Sequence, residues 1–213
     1  EPFADTLKEM NTSAHILRKE KMERGYIDFN LDEPEIIQDE NGKAIDIVRV
    51  VREDGEKMIE DFMIAANETV ASHIYNMDLP FIYRVHGAPN SDKIDDFTNL
   101  LKALGYTLKT RTLDMTHKTM QNVLKELDDK PEFKILSSLL LRSMRKAEYS
   151  KENIGHFGLA SKAYTHFTSP IRRFPDLTVH RLLKKLEQGG LPWWLLKKKD
   201  ILFCFFIHSY AFI

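Results

Sequence analysis

The stretch His156–Arg181 reads HFGLASKAYTHFTSPIRRFPDLTVHR and is the most informative part of the chain. Its apolar spacing predicts a helix over Pro170–Glu187, because Ser169 is a typical N-cap and proline is favoured in a first helical turn. Asp176 and His180 are four residues apart on the predicted helix and would share one face. The sequence therefore predicts a capped helix in which these two side chains pair.

Two arginines fall in the first turn of this predicted helix, where the helix dipole disfavours cations. Arg172 and Arg173 are explained if the turn binds an anion, because free backbone N–H groups and guanidinium groups both hold phosphate. Tyr164, His166 and Phe167 lie just upstream, within reach of bases or ribose. From spacing alone the alternative, a basic amphipathic surface helix, stays open.

The composition sets outer limits on the class of protein. The chain has 213 residues, 43% of them apolar and 30% charged, which excludes a disordered tail and a collagen-like repeat. Its single cysteine, Cys204, excludes an internal disulfide and a cysteine zinc site, and fits the reducing cytoplasm. The longest mostly apolar run, Ile201–Ile213, is too short to span a bilayer, so no membrane association is expected.

Charge is distributed unevenly along the chain. The totals nearly cancel, at 31 Lys and Arg against 32 Asp and Glu. Residues 1–75 hold nine Lys and Arg against 18 Asp and Glu, whereas residues 134–185 hold eleven against three. A concentrated basic segment attracts polyanions. An ordinary solvated surface that balances the acidic half is the alternative.

Helical and strand patterns mix along the chain and predict an α+β fold. The tight-turn pair Asn41-Gly42 predicts a hairpin. The best helix, Glu56–Asn76, has an apolar stripe of Ile59, Met63, Ala66, Val70 and Ile74. Further predicted helices are Ala4–Glu23, Ser91–Leu104, Lys118–Leu127 and Pro131–Met144, and the predicted strands are Tyr26–Asn30, Glu35–Gln38, Ala44–Val51, Pro80–His86 and Tyr106–Leu113.

The stretch His156–Arg181 resembles the signature of the RNB-domain exoribonucleases, the family of ribonuclease II and ribonuclease R. The matching positions are His156–Leu159, Tyr164, Thr168–Phe174, Asp176 and His180. Further agreement comes from Arg24-Gly25 with Asp28-Phe29, from Met58–Ala71 and from Pro80–His86. The resemblance implies an α+β fold of helices and antiparallel strands, the C-terminal part of an RNB catalytic domain over residues 1–190. Residues 191–213 form an apolar tail that does not align, and we expect it to lie outside the folded core.

The resemblance also implies a reaction. Members of the family hydrolyse single-stranded RNA from its 3′ end and release nucleoside 5′-monophosphates with the help of divalent metal, here Mg²⁺. Arg172 matches the family's catalytic arginine, and Glu60 matches the glutamate that contacts ribose hydroxyls near the 3′ end. Residues expected to bind RNA are Arg173, Ser169, Tyr164, His166 and Phe29. A packing role for Phe29 and a solvated helix charge for Glu60 are the alternatives.

The metal ligands are the missing part of the family pattern. The family holds its metals with aspartates in a D-x5-D-x-D-D pattern that lies N-terminal to the Met58–Ala71 block. Asp92, Asp95 and Asp96 imitate it loosely, but their order and spacing are wrong, so we assign no metal ligand in this chain. We therefore expect the chain by itself to be inactive. The alternative function is a non-catalytic RNA-binding fragment or an inactive remnant of such an enzyme.

Overall fold

The computed structural model describes residues 3–29, 33–50, 52–106 and 116–189 of the chain. Most of the predicted strand Tyr106–Leu113 and all of the tail Leu191–Ile213 lie outside these ranges. The described elements are α1 (Ala4–Arg24), β1 (Glu33–Gln38), β2 (Ala44–Val50), α2 (Asp54–Asn76), β3 (Tyr83–Val85), α3 (Ser91–Ala103), α4 (His117–Leu127), α5 (Phe133–Ser143), β4 (Glu148–Ser150), a 3₁₀ turn (Phe157–Leu159) and α6 (Phe174–Glu187). Antiparallel pairing joins β1 to β2 and β3 to β4.

The segment after α1 is not a strand, contrary to the prediction for Tyr26–Asn30, because its described residues 26–29 have no regular secondary structure. Gly25 ends α1 with a left-handed φ of 105°. The Tyr26 N–H then donates back to the carbonyl of Lys21 at 3.1 Å. Gln121 donates its side-chain amide to the Tyr26 carbonyl at 3.1 Å. A helix cap and a distant side chain thus take up polar groups that a strand partner would otherwise bind.

The hairpin predicted from Asn41-Gly42 is confirmed. Strand β1 pairs with β2 so that Ile36 lies opposite Ile47. The carboxylate of Asp39 accepts two backbone N–H groups of the turn, both at 2.9 Å, and Gly42 supplies a φ of 78°. Both isoleucines stay exposed. The hairpin is therefore fixed mainly by local turn chemistry rather than by a shared core.

Helix α2 confirms the predicted helix, but its buried face differs from the predicted stripe. Ile59 is 48% exposed, whereas Asp61 and Asn67 are buried at 3% and 2%. Asp61 accepts a hydrogen bond from Arg18 at 2.7 Å and another from Lys21 at 2.8 Å. Because paired or hydrogen-bonded polar groups can be buried, apolar periodicity alone misplaces this face.

The described residues form two compact units, one made of those within 3–62 and 89–144 and the other of residues 63–88 and 145–189. The buried side chains that α3, α4 and α5 give to the first unit include Ile94, Phe97, Leu101, Met120, Val123, Leu127, Leu136 and Leu140. The core of the second unit contains Ala71, Ile74, Phe81, Ile82, Tyr83, Val85, Ala163, Val179 and Leu182. The second unit contains the signature stretch, which gives Ala163 to this core, packs Phe167 against it and continues into α6.

Candidate functional site

The residues before α6 form a closed turn instead of the first turn of a helix. The carbonyl of Ser169 accepts the N–H groups of Arg172 and Arg173 at 3.3 and 3.0 Å. Helix α6 begins at Phe174, with extended backbone at Arg173 (φ −122°, ψ 119°). The predicted start at Pro170 is therefore wrong by one turn. The two arginines precede the helix, so the dipole argument does not apply to them as first-turn residues.

A buried carboxylate fixes this turn from the inside. Asp176 is fully buried, and its Oδ1 accepts the Ser169 N–H and an Arg173 guanidinium N–H, both at 2.7 Å. The predicted pair between Asp176 and His180 is wrong. His180 instead donates Nε2–H to the carbonyl of Phe167 at 2.9 Å and stacks on the Phe167 ring at 4.2 Å. Asp176 and His180 of α6 therefore both bind the backbone of the signature stretch before the helix, and not each other.

The turn presents one arginine outward and keeps the next one inside. The side chain of Arg172 is exposed and forms no hydrogen bond or ion pair with the described part of the chain. Its neighbour Ile171 is also fully exposed. Arg173, by contrast, is 22% exposed and is bound to Asp176. The sequence predicted both arginines as phosphate ligands, and the structure gives them different surroundings.

The segment upstream of the turn is held by polar bonds from α2 and β3. Asn67 donates its amide to the hydroxyl of Tyr164 at 2.9 Å and accepts the N–H of Phe167 at 3.0 Å. The carbonyl of Tyr164 accepts the backbone N–H of Arg84 at 2.8 Å. The hydroxyl of Thr165 donates to the carbonyl of Ile82, just before β3, at 2.7 Å. Tyr164 is 7% exposed, and burial raises the pKa of its hydroxyl. Its ring therefore lies inside the fold.

His166 is half-buried among aromatic and cationic groups. Its Nδ1 lies 2.7 Å from the hydroxyl of Tyr149. Burial lowers the pKa of His166 to about 4, and the Arg173 guanidinium adds to that effect. The Arg84 guanidinium lies over the Tyr149 ring, 4.7 Å from its centroid. His166 is thus a neutral imidazole at pH 7 in a positive field.

Two neighbouring histidines, His86 and His156, support the loop that begins the signature stretch. His86 accepts the N–H of Gly158 at Nδ1 and donates Nε2–H to the carbonyl of Arg145 at 2.8 Å. His156 accepts the Leu159 N–H at its own Nδ1. The two rings meet edge to face at 4.9 Å. Burial, and after it the neighbouring His86 and Arg84, lower the pKa of His156 to about 3.

Glu60 and Phe29 belong to the first unit. Glu60 accepts a hydrogen bond from the Tyr26 hydroxyl and one from the Arg52 guanidinium, each at 3.3 Å. Its side chain is 34% exposed, so it is a braced carboxylate rather than a freely solvated one. Phe29 is half-buried in the irregular segment after α1. Burial, followed by the Glu60 carboxylate, raises the pKa of Tyr26.

The three aspartates of α3 do not form a metal site. Asp92 lies in the first turn of the helix, where its N–H is capped by Asn90 at 2.9 Å. The cap is thus one residue earlier than the predicted Ser91. Asp95 and Asp96 are exposed. Across residues 3–29, 33–50, 52–106 and 116–189, no group of three or more His, Cys, Asp or Glu can hold a metal ion, so these residues do not fit the family's metal centre.

Several residues of this site were not predicted from the sequence. Asn67 and Arg84 lie inside the quoted blocks Met58–Ala71 and Pro80–His86, but a buried amide and an arginine in a strand have no distinctive spacing. Tyr149 lies outside every block.

Within the described ranges, no helix combines the length and the apolar character needed to cross a membrane.

The signature turn lies on a scaffold of helices and short antiparallel strands, and the chain belongs to the RNB domain family, whose model matches residues 1–189. The family predicted from the signature is therefore confirmed. Similar curated proteins are Ribonuclease R of Thermotoga maritima, 50% identical over 89% of this chain and 27% of its own, and Ribonuclease R 1 of Lactococcus lactis, 44% identical over 92% and 24%. The chain thus spans about a quarter of the length of these relatives.

Solved structures of a ribonuclease R are also similar to this chain. The apo form of Mycoplasma genitalium RNase R is similar with a TM-score of 0.86 and 35% identity, over 92% of this chain and 31% of that one. The same protein in complex with ribose methylated single-stranded RNA is similar with a TM-score of 0.85, again at 35% identity over 92% and 31%. The predicted fold class, helices combined with antiparallel strands as in an RNB domain, is confirmed.

Proposed function

We propose that this chain is the RNB segment of a 3′-to-5′ exoribonuclease that hydrolyses single-stranded RNA to nucleoside 5′-monophosphates. One observation carries the proposal: Arg172 is exposed and unpaired among the described residues, on a turn fixed by the buried carboxylate of Asp176. The turn lies in the segment that matches the family. An arginine held ready in this way is suited to a phosphate that arrives with a substrate.

Arg172 would hold the scissile phosphate and offset the charge that develops on its oxygens. A guanidinium group grips two phosphate oxygens at once and stays protonated at any working pH. Preorganisation matters because a donor that is already in position needs no rearrangement as the reaction proceeds. Ser169 and Arg173, which Asp176 binds at 2.7 Å, would contribute by fixing the turn.

The other predicted RNA-binding residues receive different roles in this proposal. Tyr164 is buried against Asn67, so it supports the backbone of the site from below. His166 is half-buried and neutral, and offers a donor or an acceptor to RNA from beside Tyr149. Glu60 would accept ribose hydroxyls, since Tyr26 and Arg52 hold its carboxylate in place. Phe29 would stack on a base from the irregular segment after α1.

A divalent metal, Mg²⁺ in our proposal, would supply activated water and stabilise the leaving oxygen when it is bound to the complete enzyme. The described residues do not fit such a centre, so we assign no metal ligand and no metal step to them. The proposed setting is the cytoplasm, which the single Cys204 and the bacterial relatives support. The proposed domain extends over residues 1–190.

A chimaera tests the proposal. Residues 1–189 of this chain would replace the matching segment of Thermotoga maritima Ribonuclease R. We expect the chimaera to shorten 5′-labelled single-stranded RNA stepwise from its 3′ end and to release nucleoside 5′-monophosphates with Mg²⁺. A chimaera that folds and binds RNA but does not shorten it, with active parent enzyme as control, would contradict the proposal. That result would leave the alternative, a non-catalytic RNA-binding segment.

A further inference from the structure

Arg84 on β3 is a half-buried cation that forms no ion pair with an acidic residue in the described part of the chain. Its guanidinium lies over the Tyr149 ring, and within the described ranges no carboxylate forms an ion pair with it. Charges that leave water are normally paired, because desolvation is costly. Stacking on an aromatic face orients the flat guanidinium while leaving its N–H edge free to bind. The position therefore fits an anion supplied from outside the chain.

The groups around Arg84 add to its positive potential. Arg84 lies over the ring of Tyr149, whose hydroxyl is 2.7 Å from Nδ1 of His166. After burial, the guanidinium groups of Arg173, Arg84 and Arg172 all lower the pKa of His166. Asp176 opposes them, but its Oδ1 already accepts hydrogen bonds from Arg173 and Ser169. The three arginines thus act on one small region, where Asp176 offsets part of their charge and is itself bound to Arg173.

We propose that Arg84 is a second phosphate-binding residue, which holds a backbone phosphate of single-stranded RNA next to the one held by Arg172. The inference rests on the proposed function and extends it to a residue outside the signature stretch. The ligand class is the phosphodiester backbone, because the free N–H edge of a stacked guanidinium matches two phosphate oxygens. Tyr149 serves as the platform that holds this edge in place.

The test measures how the affinity of the full chain for a labelled oligoadenylate depends on salt. Each phosphate contact to a single strand contributes a slope of about −0.7 to log K against log salt. Arg84→Gln should weaken binding and make the slope shallower by about 0.7. Arg84→Lys, which keeps the charge, should retain the slope. The matched control is Arg142→Gln, which removes an exposed arginine of α5 and should leave the slope unchanged.

The melting temperature of each variant separates binding from packing. If Arg84→Gln lowers the melting temperature but keeps the wild-type slope, Arg84 only braces Tyr149 and the inference is overturned. An equal loss of slope in Arg142→Gln would assign the effect to total charge and overturn it as well. Wild-type protein that binds no RNA would overturn both the proposed function and this inference. A slope that changes in Arg172→Ala but not in Arg84→Gln would overturn this inference alone.

Discussion

Asp176 binds Arg173 at 2.7 Å inside the protein, while the adjacent Arg172 has no partner among the described residues. Two consecutive arginines of one signature thus have different physical situations. The inner one neutralises a fully buried carboxylate, and the outer one remains available to a ligand. This contrast between neighbours leads to opposite expectations for their substitution.

Arg172→Ala should lower turnover of the chimaera by about 10²–10³, as expected for the loss of one preorganised electrostatic contact. RNA affinity should fall much less, because other basic residues still hold the backbone, and the melting temperature should not change. Single-turnover kinetics and calorimetry check these expectations. Wild-type turnover in the variant would show that Arg172 has no role at the scissile phosphate.

Arg173→Ala should act mainly on stability, since it leaves the buried Asp176 carboxylate without its cation. Removing one partner of a buried ion pair typically destabilises a protein by about 3 kcal/mol. Urea unfolding of the chain at pH 7 measures the free energy of unfolding, with Arg181→Ala on the exposed side of α6 as the control. Equal stability of the two variants would mean that solvent reaches Asp176 and replaces Arg173.

Glu60→Ala should relax the preference of the chimaera for RNA over DNA, because an acceptor for ribose hydroxyls is lost. Glu60→Gln keeps one carbonyl oxygen and should have a smaller effect. Competition between matched RNA and DNA strands gives the ratio of kcat/KM values. Glu56→Ala, at an exposed position one turn earlier on α2, is the control. Selectivity that is unchanged in Glu60→Ala would leave the residue with a structural role, through its contacts with Tyr26, Arg52 and Lys21.

Asn67→Ala should destabilise the chain by about 2 kcal/mol, because the Phe167 N–H loses its buried acceptor and the Tyr164 hydroxyl loses its donor. Asn122→Ala, on the exposed side of α4, should leave stability within about 0.5 kcal/mol of wild type. Thermal unfolding followed by circular dichroism compares them. A melting temperature of Asn67→Ala equal to that of wild type would show that water replaces the amide.

The low pKa of His156 predicts that acid weakens the fold. Its folded pKa of about 3 lies below the ordinary value of 6.5, so protons bind the unfolded chain more tightly. The stability contributed by neutral His156 is complete above about pH 6.5 and falls as the pH drops towards 3. Between pH 7 and pH 5 this one group should lower the free energy of unfolding by about 2 kcal/mol.

His156→Gln should remove that share of the pH dependence, while exposed His15→Gln should leave it intact. Urea unfolding at both pH values measures the difference. His86 and His166 act in the same direction, because burial lowers their pKa as well, so part of the dependence should remain in His156→Gln. A loss of stability that is the same in wild type and in His156→Gln would mean that His156 is solvated in the folded chain.

Local chemistry explains what could be predicted from the sequence. The hairpin follows from Asn41-Gly42, since a left-handed glycine and a turn aspartate fix the register without distant contacts. Helix α2 follows from its uninterrupted helical pattern. The family follows from the signature stretch, because that stretch repeats a fixed order of residue types.

Only the tertiary structure could decide where α6 begins and which residues surround the turn. The side chain of Asp176 binds the Ser169 N–H seven residues upstream, and the closed turn delays the helix to Phe174. Asn67 reaches residues 97 and 100 positions away along the chain. Arg84 stacks on a tyrosine 65 positions later. Such bonds join segments that only folding brings together, so no pattern within either segment encodes them.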